Sequence, residues 1–292
     1  TVRVSDFTSM FQGATAFNAN IGNWNTITGS NFTSMFEGAT SFNIDISRWI
    51  LTGATKLTRM FFGATSFNSP LNSWDVSNVV HMEQMFANAN VFNRNIGGWN
   101  VGHVTTMFEM FLSATAFGST TPIDLSQWNV SNVTDLTRMF KLSGINGTLN
   151  GWRFGSDANL TEMFSGALNF NQDISTWNVA NVSSMKQMFI NTTKFNKDII
   201  GWKLDSCGNF VEMFANASFA GSVANWTLRS LVGISLARMF KNAALFIGNG
   251  IETWNVKAVT NFSEMFYGAT NFTGDVSSWN VSSGSDFSSM FR

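Results

Sequence analysis

The sequence predicts an α/β solenoid of about 11–12 stacked 25-residue coils, each carrying one short helix and one short parallel strand. Three observations predict it. First, the dipeptide Met-Phe begins at Met10, Met35, Met60, Met85, Met110, Met139, Met163, Met188, Met213, Met239, Met265 and Met290, and eleven Trp keep the same interval from Trp24 to Trp279. Second, the apolar residues around each Met follow a helical stripe. Third, those around each Trp alternate with period two. Twelve Met-Phe pairs leave no stretch outside the pattern, so residues 1–292 read as a single repeat array.

The helix is read from the Met outward. Phe, Leu or Met stands three residues before it, Phe directly after it, and Ala four after it in nine of eleven units. Spacings of 0, 3, 4 and 7 form one apolar face. Ser or Thr stands five before the Met in eight of twelve units, including Ser30, Thr55 and Thr134, where a hydroxyl can cap a helix start. Gly or Asn stands three after it in nine of eleven, as in Gly13, Gly63 and Asn88, suited to the left-handed residue that ends a helix. A helix of about two turns cannot persist alone.

The strand is read around the Trp. Ile, Leu or Val stands three residues before it in all eleven units, and an apolar residue two after it in ten. The residue directly after it is mostly polar, as in Asn25, Asp75 and Asn100. Between helix and strand, Phe-Asn pairs such as Phe42-Asn43 read as a core plug followed by a turn residue. Strands stacked at roughly 4.8 Å beside helices that need roughly 8–10 Å should bend the array, with strands on the concave side. Surplus residues between Phe117 and Trp128 and between Phe219 and Trp254 should bulge outward as loops.

The string Met-Phe-x-Gly-Ala-Thr-x-Phe-Asn-x-Asp-Ile-x-x-Trp-Asn-Val-x-Asn-Val, nearly verbatim over 35–49 and 163–182, resembles the BspA-type leucine-rich-repeat surface proteins in their 25-residue variant. The resemblance covers the whole chain. It implies a leucine-rich-repeat-like solenoid outside the cell or on its surface, with binding or scaffolding work and no catalytic residue to carry over. Departures are local: Arg153 and Lys203 replace the Asn after Trp, and Asn146 and Ala220 fall at the plug position.

Composition narrows the function. With 17 Lys+Arg against 18 Asp+Glu and 12% charged residues, the chain lacks the basic excess that nucleic-acid binding needs. No apolar run reaches the ~20 residues of a membrane helix, so no membrane insertion is expected. Cys207 is the only cysteine and His81 and His103 the only histidines, so no disulfide, metal site, cofactor or catalytic constellation is expected. The sequence therefore predicts a non-enzymatic extracellular structural protein that self-associates into a fibre, coat or appendage. The alternative is an adhesin or receptor-like module binding a surface protein or a glycan on the concave strand face, through Arg153, Lys203, Arg229 and Lys257 if these form one patch. Among the Asn-x-Ser/Thr triplets, Asn31, Asn159, Asn191, Asn216 and Asn261 are candidate glycosylation sites by position, with structural Asn in turns and ladders as the other reading. The chain opens and closes inside a coil without a polar capping repeat, which predicts further repeats or caps beyond both ends.

Overall fold

The computed structural model describes residues 4–228 and 233–292. It divides into two compact units, Thr1–Thr148 and Leu149–Arg292. Both are built from the same 25-residue coil, and in both the predicted helix is absent. Among the described residues there is no α-helix, and a single 3₁₀ turn occupies Ile251–Thr253. The expected α/β solenoid with a helix per coil is therefore corrected to coils made almost entirely of turns.

The backbone around each Met shows why. Alternate amides close turns within the coil: Met10 N–H donates to the Phe7 carbonyl at 3.3 Å, Gln12 to Ser9 at 3.1 Å and Ala14 to Phe11 at 3.1 Å. The amides between them leave the coil. Ser9 N–H donates to the Thr33 carbonyl at 2.9 Å, Phe11 to Met35 at 2.9 Å and Gly13 to Glu37 at 2.7 Å, each in the next coil. Unit 2 repeats this from Leu160 to Gly166, whose alternate amides meet Ser184, Lys186, Met188 and Ile190. The residue before every Met is left-handed, with φ between 51° and 56° in all twelve cases from Ser9 to Ser289. The residue three after the Met is left-handed too, as at Gly13 and Asn88. A helix cannot run through two such residues four apart. The expected helix-capping hydroxyls do other work: Ser30 Oγ donates to the Ser5 carbonyl at 3.1 Å and Ser285 Oγ to the Thr260 carbonyl at 3.0 Å, tying each coil to the one before.

Parallel pairing lies four residues before the Met rather than at the Trp. In unit 1 it is a row of single bridges through Asp6, Asn31, Lys56, His81, Thr106 and Asp135. In unit 2 the row thickens into β1 (Ala158–Asn159) paired with β2 (Val182–Ser184), and β3 (Ile234–Ser235) paired with β4 (Val259–Asn261). Each pair carries a register shift, with Ala158 opposite Val182 but Asn159 opposite Ser184. Single bridges through Asn209 and Asp286 continue the row. At the Trp, the expected strand reduces to the bridges Arg153–Asn178 and Lys203–Thr227. Its alternation of burial survives: Trp74 and Val76 are buried and Asp75 is exposed.

The core consists of side-chain columns. Phe11, Phe36, Phe61, Phe86, Phe111 and Phe140 stack at 5.5–5.6 Å between centroids, and Phe164, Phe189, Phe214, Phe240, Phe266 and Phe291 at 5.4–5.8 Å. Trp177 lies nearly parallel to Trp152 at 5.9 Å and to Trp202 at 6.3 Å, and Trp177, Met188 and Phe189 are all buried. Phe219, one residue before the expected plug position of Ala220, fills that column by stacking on Phe195 and Phe246. The surplus residues 119–122 are exposed, as a bulged loop should be.

Candidate functional site

The residues shared by every coil are engaged in holding neighbouring coils together. Nine indole nitrogens, from Trp49 to Trp279, each donate to a carbonyl of the preceding coil; Trp49 Nε1 meets Ile21 O at 3.1 Å, and Trp177 Nε1 meets Leu149 O at 2.7 Å. The Asn of the Phe-Asn pair acts in the same direction. Asn18 Oδ1 accepts from the Asn43 amide at 2.9 Å, Asn43 from Asn68 at 2.8 Å and Asn171 from Asn196 at 3.1 Å.

The residues before the Met form a polar ladder that sequence reasoning missed. Arg59 donates to Glu37 in the preceding coil and Gln84 in the following one, Gln84 donates to Glu109 at 2.7 Å, and Arg138 Nη1 donates to Glu109 at 3.2 Å. In unit 2, Gln187 donates to Glu212, and Arg238 pairs with both Glu212 and Glu264. The Arg59 guanidinium beside Glu37 holds that carboxyl below its ordinary value. No single coil announces this ladder, because its members alternate between Ser, Arg, Gln and Glu.

The candidate glycosylation sites separate into two kinds. Asn31, Asn159 and Asn261 are half-buried members of the parallel row, and their Oδ1 atoms accept from the amides two residues on, Thr33 at 3.1 Å, Thr161 at 3.0 Å and Ser263 at 2.8 Å. Asp6, Asp135 and Asp286 make the same turn at the same coil position. There the spacing of an Asx residue and a hydroxyl residue serves a turn. Asn191 and Asn216 are exposed and left-handed. Asn216 Nδ2 donates to Asn191 Oδ1 at 3.1 Å, and Asn242 Nδ2 to Asn216 Oδ1 at 2.9 Å, leaving Asn191 Nδ2 without a partner among the described residues.

Of the candidate interaction residues, Arg153, Lys203 and Lys257 are exposed and make no ion pair among the described residues. Arg153 and Lys203 stand in one row, with neutral Asn178 between them. Lys257 lies two positions further along its own coil. Arg229 lies outside the described residues. Among the described residues no strand is assigned at the Trp positions, only the two bridges, so the expected strand face does not form there.

Cys207 is buried, and burial pushes its thiol up to about 12, far from a thiolate nucleophile. His81 Nδ1 meets Glu83 at 3.0 Å and His103 Nδ1 meets the Ser77 carbonyl at 2.6 Å. No three His, Cys, Asp or Glu among the described residues come together to hold a metal ion. No helix among them is long and apolar enough to cross a membrane.

The family model described as "Mycoplasma protein of unknown function, DUF285" matches residues 1–79, 52–152, 119–226 and 217–292, which together cover the chain. The chain belongs to this family. No curated protein and no solved structure matches it. In this chain the repeat's shared residues make the coil-to-coil contacts described above.

Proposed function

We propose that this chain is a non-enzymatic structural repeat protein of the cell exterior, a scaffold of a fibre, coat or appendage that works through self-association. One observation carries the reading: the residues common to all coils are used in joining coil to coil. Each coil donates its alternate amides at the Met-Phe turn to the following coil and accepts the same bonds from the preceding one. A coil face therefore fits another copy of itself, and head-to-tail contacts of this kind propagate. The resemblance to BspA-type surface proteins and the uncharged polar surface support an extracellular or surface location. Asn191 is the favoured glycan acceptor, since it is exposed and its Nδ2 is uncommitted. Sedimentation and electron microscopy of residues 1–292 test the reading, with concentration-dependent assemblies expected. A monodisperse monomer at high concentration overturns it.

The adhesin reading keeps one specific support, the exposed and unpaired cations Arg153, Lys203 and Lys257. Its binding surface is the Trp side of unit 2.

A further inference from the structure

Two sets of cations stand out among the described residues. On the Met-Phe turns, Arg59, Arg138, Arg238 and Lys241 are each paired with a Glu. Beside the Trp column of unit 2, Arg153, Lys203 and Lys257 are exposed and unpaired. Their placement is periodic. The column runs Trp152, Trp177, Trp202, Trp226, Trp254 in contact from coil to coil. The cations accompany every second Trp: Arg153 directly after Trp152, Lys203 directly after Trp202, and Lys257 three after Trp254, two positions beyond their row. Neutral Asn178 and Thr227 occupy the coils between, bridged to Arg153 and Lys203. At roughly 4.8 Å per coil Arg153 and Lys203 lie about 10 Å apart along their row, with Lys257 two coils beyond and offset to one side. Acids lie close to these cations in the chain: Asp205 is half-buried, Asp157 and Glu252 are exposed, and none of the three makes an ion pair among the described residues.

We propose that this side of unit 2 binds an acidic polysaccharide laid along the coils, its carboxylates or sulfates meeting Arg153, Lys203 and Lys257 in turn. The inference rests on the adhesin reading above, not on self-association. An extended chain with at least one anionic group per sugar pair can reach charges presented on alternate coils, and the intervening Asn178 and Thr227 offer amide and hydroxyl groups to the sugars between. Guanidinium and ammonium groups that remain hydrated and unpaired lose little when they engage such a ligand. The attraction is long-range and screened by salt.

The test titrates the full 292-residue chain at low salt with a sulfated polymer (heparin), a carboxylated one (polygalacturonate), neutral dextran and single-stranded DNA. Binding to one or both acidic polysaccharides, weakening as salt rises, is expected, with none to dextran. The double variant Arg153→Gln/Lys203→Gln should lose about tenfold in affinity, while Lys186→Gln, an exposed cation elsewhere in unit 2, should match the parent. Comparison of the two polymers identifies sulfate or carboxylate as the preferred group. Three results each overturn the proposal: no polysaccharide binding, equal loss from Lys186→Gln, or equal affinity for DNA. Sedimentation of the same double variant reads self-association separately, so failure of one reading leaves the other standing.

Discussion

At the scale of the residue, a Trp here has two tasks. Its ring fills the column, and its nitrogen adds a bond to a carbonyl of the preceding coil, as at Ile21 O, which accepts from both Trp24 N–H and Trp49 Nε1. The first task was legible from the apolar partners around Trp177; the second was not, because Leu149 lies 28 residues away. Replacing Trp177 by Ala should cost about 3–5 kcal/mol, as large-to-small core changes do. Trp177→Phe keeps much of the packing but loses the bond to the Leu149 carbonyl, at about 0.5–1.5 kcal/mol. Urea denaturation of both variants checks the ordering, and equal stability of Trp177→Phe and the parent would discount the nitrogen. Cys207 offers a simpler check. With its thiol buried and pushed up to about 12, it should resist alkylation at pH 8 in the native protein and react once unfolded.

At the scale of the element, the Met-Phe segment was misread for a definite reason. Its apolar spacing suits a helix, and Arg, Gln and Glu before the Met are good helix formers. Nothing in those residue types signals a left-handed backbone. The position three after the Met is different: Gly and Asn there do signal it, and the backbone is left-handed there as expected, though at the end of a turn. Leu142 occupies that position with φ 56° and an exposed side chain. Leu142→Gly should therefore stabilise unit 1 by about 1 kcal/mol, relieving a left-handed Leu without losing core packing. A lower urea midpoint for this variant would contradict the turn geometry. The polar ladder adds a pH dependence. Glu37 has its folded-state value lowered by Arg59, so its contribution is present above the ordinary glutamate value of about 4.3 and is lost as pH falls through the lowered one. Glu37→Gln should accordingly narrow the stability gap between pH 7 and acid, measured by denaturation at each pH.

At the scale of the whole molecule, the absence of helix among the described residues is open to direct measurement. Far-UV circular dichroism should lack the paired minima of an α-helical protein. A spectrum dominated by helix would return the coils to the α/β form first expected. Stacked columns also predict that damage spreads to neighbouring coils, since Trp177 touches both Trp152 and Trp202. Hydrogen exchange in Trp177→Ala should quicken in the coils on both sides. Protection lost only within residues 163–182 would argue that the coils are independent.

The sequence by itself determined the repeat, its length, the inward residues of the inner coils, the lack of a basic excess and the lack of an apolar run long enough for a membrane helix. Each follows from periodicity and composition, which local reading captures. Only the tertiary structure decided what the coil is made of. Phe columns at 5.4–5.8 Å from coil to coil leave no room for helices that need roughly 8–10 Å between axes. Turns that send alternate amides to the next coil fit that narrow spacing. The competition is settled by partners about 25 residues away, beyond the reach of any local pattern.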